Sequence, residues 1–191
     1  MAHTKVSSAA QGLLDRLTEE QQEVLIGCSQ FGQFCDGLDT LLGPDPTANC
    51  PFCHIDHSKN LVRYDQHGWV AWEVPARFTT RQLTLAHQIV FFPHRHLRDL
   101  ADGLTPEEEH GYFETLRWAR QEFKYLGGAV VNRFGDMRFN VGTIMHVHAT
   151  IMVPNRRGKV WVPFQKSRKM WLDHRRRMLS FLERYAAGER A

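Results

Sequence analysis

Apolar residues in the first forty positions recur at helical spacing. Leu13, Leu14, Leu17, Val24, Leu25, Phe31 and Phe34 form a stripe interrupted at Gly27 and Gly32. Thr18-Glu19-Glu20-Gln21 reads as a capping box, so a break and a second helix are predicted there. Gly43-Pro44-Asp45-Pro46 ends the helical extension, because proline cannot continue a helix and restricts the residue before it. The period then shortens. Strand-like runs cover Leu61 to Tyr64 and Trp69 to Glu73, with Gln66-His67-Gly68 between them as a hairpin turn. Gln88-Ile89-Val90-Phe91-Phe92 is predicted to be a central strand, stopped by Pro93. Thr105-Pro106-Glu107-Glu108 starts a helix that runs to about Leu126, where Gly127-Gly128 stops it. Ala129 to Asn132 and Arg138 to Val141 read as strands. His146 to Pro154 is a further strand, and a last helix runs from about Arg168 to Ala187. The pattern predicts an α+β fold on a mostly antiparallel sheet, with an N-terminal helical extension over 1–46, a main domain over 47–165 and a C-terminal helix over 166–191 packed on it.

Composition changes this picture little. At 191 residues, with 42% hydrophobic and 24% charged side chains, the chain has ordinary globular composition, and no stretch is apolar enough to span a membrane. Met1-Ala2-His3-Thr4-Lys5 leads into a polar helical pattern, so no export signal is expected, and four cysteines without a disulfide pattern fit a reducing, cytoplasmic setting. The net charge of +3 says little about partners. Lys166, Arg168, Lys169 and Arg175-Arg176-Arg177 concentrate positive charge near the C-terminus, either to hold phosphates or as a solvated helix face.

The candidate chemistry lies in His146-Val147-His148-Ala149-Thr150-Ile151. In a strand, His146, His148 and Thr150 share one face while Val147, Ala149 and Ile151 share the other. A pair of exposed imidazoles on a half-buried strand is the plain reading. Upstream, however, Cys50-Pro51-Phe52-Cys53 and His96 complete a Cys2His2 set with His146, which suits tetrahedral zinc. A redox pair is the alternative for the two cysteines, although the strand-turn-helix context of such a motif is missing. Four protein ligands close the coordination sphere, so the zinc is expected to be structural. Catalysis then falls to His148, since an imidazole can attack phosphorus or carbonyl carbon directly.

His146 to Met152, followed by Pro154, resembles the signature of the histidine triad (HIT) family, in which three histidines alternate with apolar residues. Phe91 to Leu100 with Leu104-Thr105-Pro106-Glu107-Glu108 is similar to the family's apolar strand, its Pro-Lys-x-His and its following helix. Phe139-Asn140-Val141-Gly142 resembles its Asn-x-Gly strand, and the Cys-x-x-Cys that of its zinc-binding members. The resemblance spans roughly residues 49 to 165. It implies a HIT-like fold, often dimeric, that cleaves or transfers at the α-phosphate of nucleotidyl substrates. By the same resemblance, His148 carries the nucleotidyl group. His146 and His96 match zinc ligands of the related galactose-1-phosphate uridylyltransferases, Asn140 and Thr143 approach the phosphate, and Phe52 and Ile55 flank a base.

Three residues or segments depart from the family pattern. Thr150 replaces the third histidine and can donate a hydrogen bond but cannot act as a cationic acid. Only Thr143-Ile144-Met145 separates Gly142 from His146, so the phosphate loop is short. His94 stands in place of a lysine, as a pH-dependent phosphate contact or an exposed strand-end residue. The expected function is that of a zinc-stabilised nucleotidyl hydrolase or transferase with His148, His146 and Thr150 in the reaction. The alternative is a non-catalytic nucleotide or nucleic-acid binding module that lost the third histidine. A third reading has the added helices dressing the site for a nucleotide sugar or an acyl adenylate.

Overall fold

The computed structural model describes residues 6–45, 47, 50–74, 84–101, 103–135, 144–157, 160, 162 and 168–190. The chain divides into two compact units, one comprising residues 1–50, 136–145 and 163–191, the other residues 51–135 and 146–162.

The first unit is helical. It contains α1 (Ser8–Leu14), α2 (Glu19–Gly27), α3 (Phe31–Leu42) and α5 (Arg168–Ala186). The Thr18 capping box is present, with Thr18 and Gln21 each bonding the other's backbone N–H. A second break, at 28–30, separates α2 from α3, where Cys28 turns to extended backbone and ends the second helix. The core gathers Ala10, Leu25, Ile26, Phe34 and Leu38 with Met178, Leu179 and Leu182 of α5. Polar contacts fasten α5 at several places. Ser7 donates to Glu183, Trp171 Nε1 donates to Glu23, Arg177 Nε donates to the Cys28 carbonyl, and Tyr185 bonds Asp39.

The second unit is an antiparallel sheet with one helix against it. Among the described residues it holds β1 (Tyr64–Gln66), β2 (Trp69–Glu73), β3 (Leu85–Pro93), β4 (Ala129–Arg133) and β5 (His148–Pro154), in the order β1-β2-β3-β5-β4. Together with the helices this is the α+β class that the hydrophobic pattern predicts. β3 is central, as its run of apolar residues requires, pairing β2 on one side and β5 on the other. The β1–β2 hairpin turns at His67 and Gly68, both at positive φ (51° and 76°), which suits the right-handed twist of the strands. α4 (Pro106–Phe123) packs on the face formed by Tyr64, Trp69, Ala71, Ile89, Phe91, Ala149, Ile151 and Val153.

Element ends differ from expectation for local reasons. β1 begins at Tyr64, the last residue of the predicted run, and Leu61 is 77% exposed. α4 ends at Phe123 because Lys124 adopts the left-handed conformation (φ 48°) and caps it. β5 begins at His148, since the Val147 N–H bonds the Leu97 carbonyl (2.6 Å). The expected strand from Arg138 to Val141 lies outside the described residues.

Candidate metal centre and histidine site

One face of the sheet buries its apolar residues against α4; the other carries the chemistry. Alternation along β5 puts His148, Thr150 and Met152 on this second face, and cross-strand register adds Val90 and Phe92 of β3, Trp72 of β2, and Val131 and Arg133 of β4. The segment after β3 runs back toward the start of β5. The Leu97 carbonyl accepts from Val147, and the Arg98 carbonyl accepts from the Gly135 N–H at 2.8 Å. These two bonds bring His96 beside His146.

Cys50, Cys53, His96 and His146 then converge, with their ligand atoms all within 4.8 Å of one another. Cys50 is bonded to Pro51, where the second unit begins. Cys53 Sγ lies 3.1 Å from His96 Nδ1 and 3.6 Å from His146 Nδ1. Sulfur and nitrogen ligands of a tetrahedral zinc stand about 3.5 Å apart, so these spacings fit such an ion. The next layer fits as well. His146 Nε2 lies 2.9 Å from the Pro93 carbonyl, which can only accept, so the ring proton sits on Nε2 and Nδ1 presents a lone pair to the cluster. Burial, and secondarily the neighbouring His96, pushes His146 down to about 4, keeping its ring neutral. Two cysteine sulfurs and two imidazoles are a zinc donor set rather than a calcium or magnesium one.

His148 is oriented by the same device turned the other way. Its Nδ1 lies 2.9 Å from the His146 carbonyl, so Nδ1 holds the proton and Nε2 keeps its lone pair. Burial lowers His148 below its ordinary value; the bond to the His146 carbonyl works against this, and the charge of Arg133 adds to the lowering. Phe52 supports both rings, edge-on to His146 (5.6 Å) and to His148 (5.3 Å), while stacking on Phe92 at 4.0 Å.

The other sequence candidates are placed as follows. Thr150 is buried on the same face as His148, with Val90 and Val131 as its cross-strand neighbours. His94 is exposed, and its Nε2 donates to Asp65 at 2.6 Å. Ile55 is half-buried two residues after Cys53. Asn140 and Thr143 lie outside the described residues. Arg133 escaped the sequence reading, which ends its strand at Asn132. It stands opposite His148 in the register, and burial holds its guanidinium below the usual arginine value. An extra residue of strand alternation on β4 is the signal that could have found it.

No family model and no curated protein matches the chain. Among solved structures it is similar to a HIT family hydrolase from Clostridium thermocellum (12% identity, TM-score 0.44, 60% of this chain and 98% of that one). It is also similar to a Zn-bound histidine triad family protein from Mycobacterium smegmatis (18%, 0.42, 75% and 99%), and to a member of the HIT family from Bacillus subtilis (21%, 0.42, 75% and 98%). The chemistry of the site therefore rests on its own residues.

Proposed function

We propose that this chain is a zinc-stabilised nucleotidyl hydrolase or transferase, acting at the α-phosphate of a nucleotide substrate through a nucleotidyl-histidine intermediate on His148. The observation that carries the proposal is the hydrogen bond from His148 Nδ1–H to the His146 carbonyl. It fixes the tautomer whose Nε2 is a nucleophile and holds the ring in one orientation without a carboxylate partner. The resemblance of His146 to Met152 to the histidine triad signature supports the same role.

Cys50, Cys53, His96 and His146 would hold a zinc ion as four protein ligands, and the ion would then supply rigidity rather than an activated water. His146 passes that rigidity on, because its ring is anchored at the cluster while its carbonyl orients His148. In the first half-reaction the Nε2 lone pair of His148 forms a bond to phosphorus, and the leaving oxygen departs with the electrons of its bond to phosphorus. The ring is then a phosphoramidate cation, stabilised by its Nδ1–H bond to the backbone. In the second, water or an acceptor hydroxyl attacks phosphorus and gives up its proton, and the electrons of the N–P bond return to Nε2. The neutral ring is restored, ready for another cycle.

The test is turnover. Wild-type protein and His148→Ala are compared on a panel of dinucleoside polyphosphates, nucleotide sugars and adenylates. Loss of the nucleophile lowers kcat by about three orders of magnitude or more on whichever substrate the wild type cleaves. Equal turnover in the two proteins, or nucleotide binding without turnover across the panel, contradicts the proposal; the second outcome matches a binding module.

A further inference from the structure

One cysteine differs from the others in its surroundings. Cys28, Cys35 and Cys50 are buried, whereas Cys53 is half-buried on a turn whose residues Pro51 and His54 are exposed. Cys53 is therefore the sulfur that a small solute reaches first. Its partner is close. The Cys50 and Cys53 sulfurs lie within 4.8 Å of each other, at the two sides of that turn. A disulfide brings its sulfurs to about 2 Å, a gap that side-chain rotation closes between residues so placed.

The same two sulfurs would hold zinc, and a zinc-bound cysteine is a thiolate, the form that reacts with peroxides. Cys28 is protected by contrast. Burial pushes its thiol up to about 11, a rise that the charge of Arg177 only partly offsets. The Cys-x-x-Cys turn also reaches the nucleophile. Phe52, between the two cysteines, stacks on Phe92 at 4.0 Å and meets the His148 ring edge-on at 5.3 Å. His146, whose Nδ1 lies 3.6 Å from Cys53 Sγ, orients His148 through its carbonyl. A change at the sulfurs therefore acts on His148 by two routes, one through a ring and one through the backbone.

We propose that Cys50 and Cys53 form a redox-sensitive clasp: a hydroperoxide oxidises them to a disulfide, the site gives up its zinc, and nucleotidyl transfer at His148 slows. This rests on the zinc-stabilised nucleotidyl-transfer reading and adds the regulation of that same site. The Cys53 thiolate attacks the outer oxygen of the hydroperoxide, the O–O bond breaks, and an alkoxide, or hydroxide from hydrogen peroxide, leaves with the electron pair. The Cys50 thiolate then attacks the sulfur of the Cys53 sulfenic acid, forming the S–S bond and expelling hydroxide. Two electrons pass from the sulfurs to the peroxide oxygens, and water protonates both anions. A disulfide lacks the thiolate that binds the metal, so two imidazoles alone remain and the ion departs. A dithiol reductant reverses the oxidation by exchange, and zinc binds again.

The experiment treats the zinc-loaded wild type with hydrogen peroxide and then with dithiothreitol and zinc. It follows the zinc released to a chromophoric chelator, the intact mass with peptide mapping of every cysteine, and the rate at which His148 takes up a nucleotidyl group. Expected is zinc release in step with a mass loss of about 2 Da that maps to Cys50 and Cys53, with Cys28 and Cys35 still reduced. The adduct rate should fall roughly 10-fold or more, and the reductant with zinc should restore it. Zinc and all thiols retained after peroxide overturn the clasp, as does oxidation that maps first to Cys28 or Cys35 or that stops at a sulfinic acid on Cys53. A disulfide with an unchanged adduct rate overturns the link to His148. A wild type that forms no adduct before treatment overturns the nucleotidyl-transfer reading instead, and the zinc and mass readouts still decide the chemistry of the pair. A protein that takes up no zinc overturns both the clasp and the zinc-stabilised reading.

Discussion

At the scale of single residues the site depends on which nitrogen of each imidazole holds the proton. Backbone carbonyls decide this for His146 and for His148, and a carbonyl is insensitive to pH, so both tautomers persist over the working range. Cys53→Ser exchanges a soft thiolate for a poor zinc ligand and should reduce bound zinc from one per chain to a small fraction, read by elemental mass spectrometry of gel-filtered protein. Zinc retained at full occupancy would mean that the four residues are not its ligands. Phe52→Ala removes a buried ring that stacks on Phe92 and meets both histidines, and is expected to cost about 3 kcal/mol in urea unfolding. The cysteines and histidines were legible from sequence because few residue types hold soft metals and their spacing is distinctive. Arg133 and the Pro93 carbonyl were not, since both are defined by cross-chain placement rather than by local pattern.

At the scale of elements, β5 and α4 do most of the positioning, and both show in the sequence through their period. Strict alternation over Val147 to Val153 separates the α4 face from the histidine face, and Thr105, Pro106 and Glu108 mark where the helix starts. Ends were less legible, because Lys124 in the left-handed region and the Val147 N–H bond to Leu97 come from the surroundings. α4 crosses the β1–β2 hairpin so closely that a Cβ added at Gly111 would lie 2.2 Å from the His67 carbonyl oxygen and 2.7 Å from the Trp69 ring. Gly111→Ala would help an exposed helix by about 1 kcal/mol; here it should destabilise by about 2 kcal/mol or more, measured by urea unfolding. The start of the same helix is sensitive to pH. The Arg95 fork, and secondarily the N–H bonds of the cap, hold the buried Glu108 carboxyl below its ordinary value. Its contribution is therefore complete above the unfolded value of about 4.3 and drains away as pH falls through the lower folded value. Arg95→Ala should destabilise the protein near neutral pH, and the difference from wild type in urea unfolding should shrink on acidification below about pH 4. A difference independent of pH would assign the loss to packing alone.

For the whole molecule, the described residues form two separate cores, a helical core in the first unit and the α4–sheet core in the second. The sequence showed that helices flank the sheet region, but no local pattern says which helices share a core, because the apolar stripes of α1, α2, α3 and α5 are interchangeable in kind. Chelation of zinc should lower the thermal midpoint of the second unit, since the ion would tie the Cys-x-x-Cys turn to the segment after β3 and the segment before β5, and an unchanged midpoint would mean that the metal adds nothing to stability. The central claim is that His148 becomes covalently nucleotidylated. Its most direct measurement is intact-mass spectrometry of wild type and His148→Ala after brief quenched incubation with the nucleotidyl substrate panel. A mass increase of one nucleotidyl group is expected on the wild type, mapping to His148, and none on the variant. An adduct of the same yield on His148→Ala, or turnover by a wild type that never carries one, would contradict it.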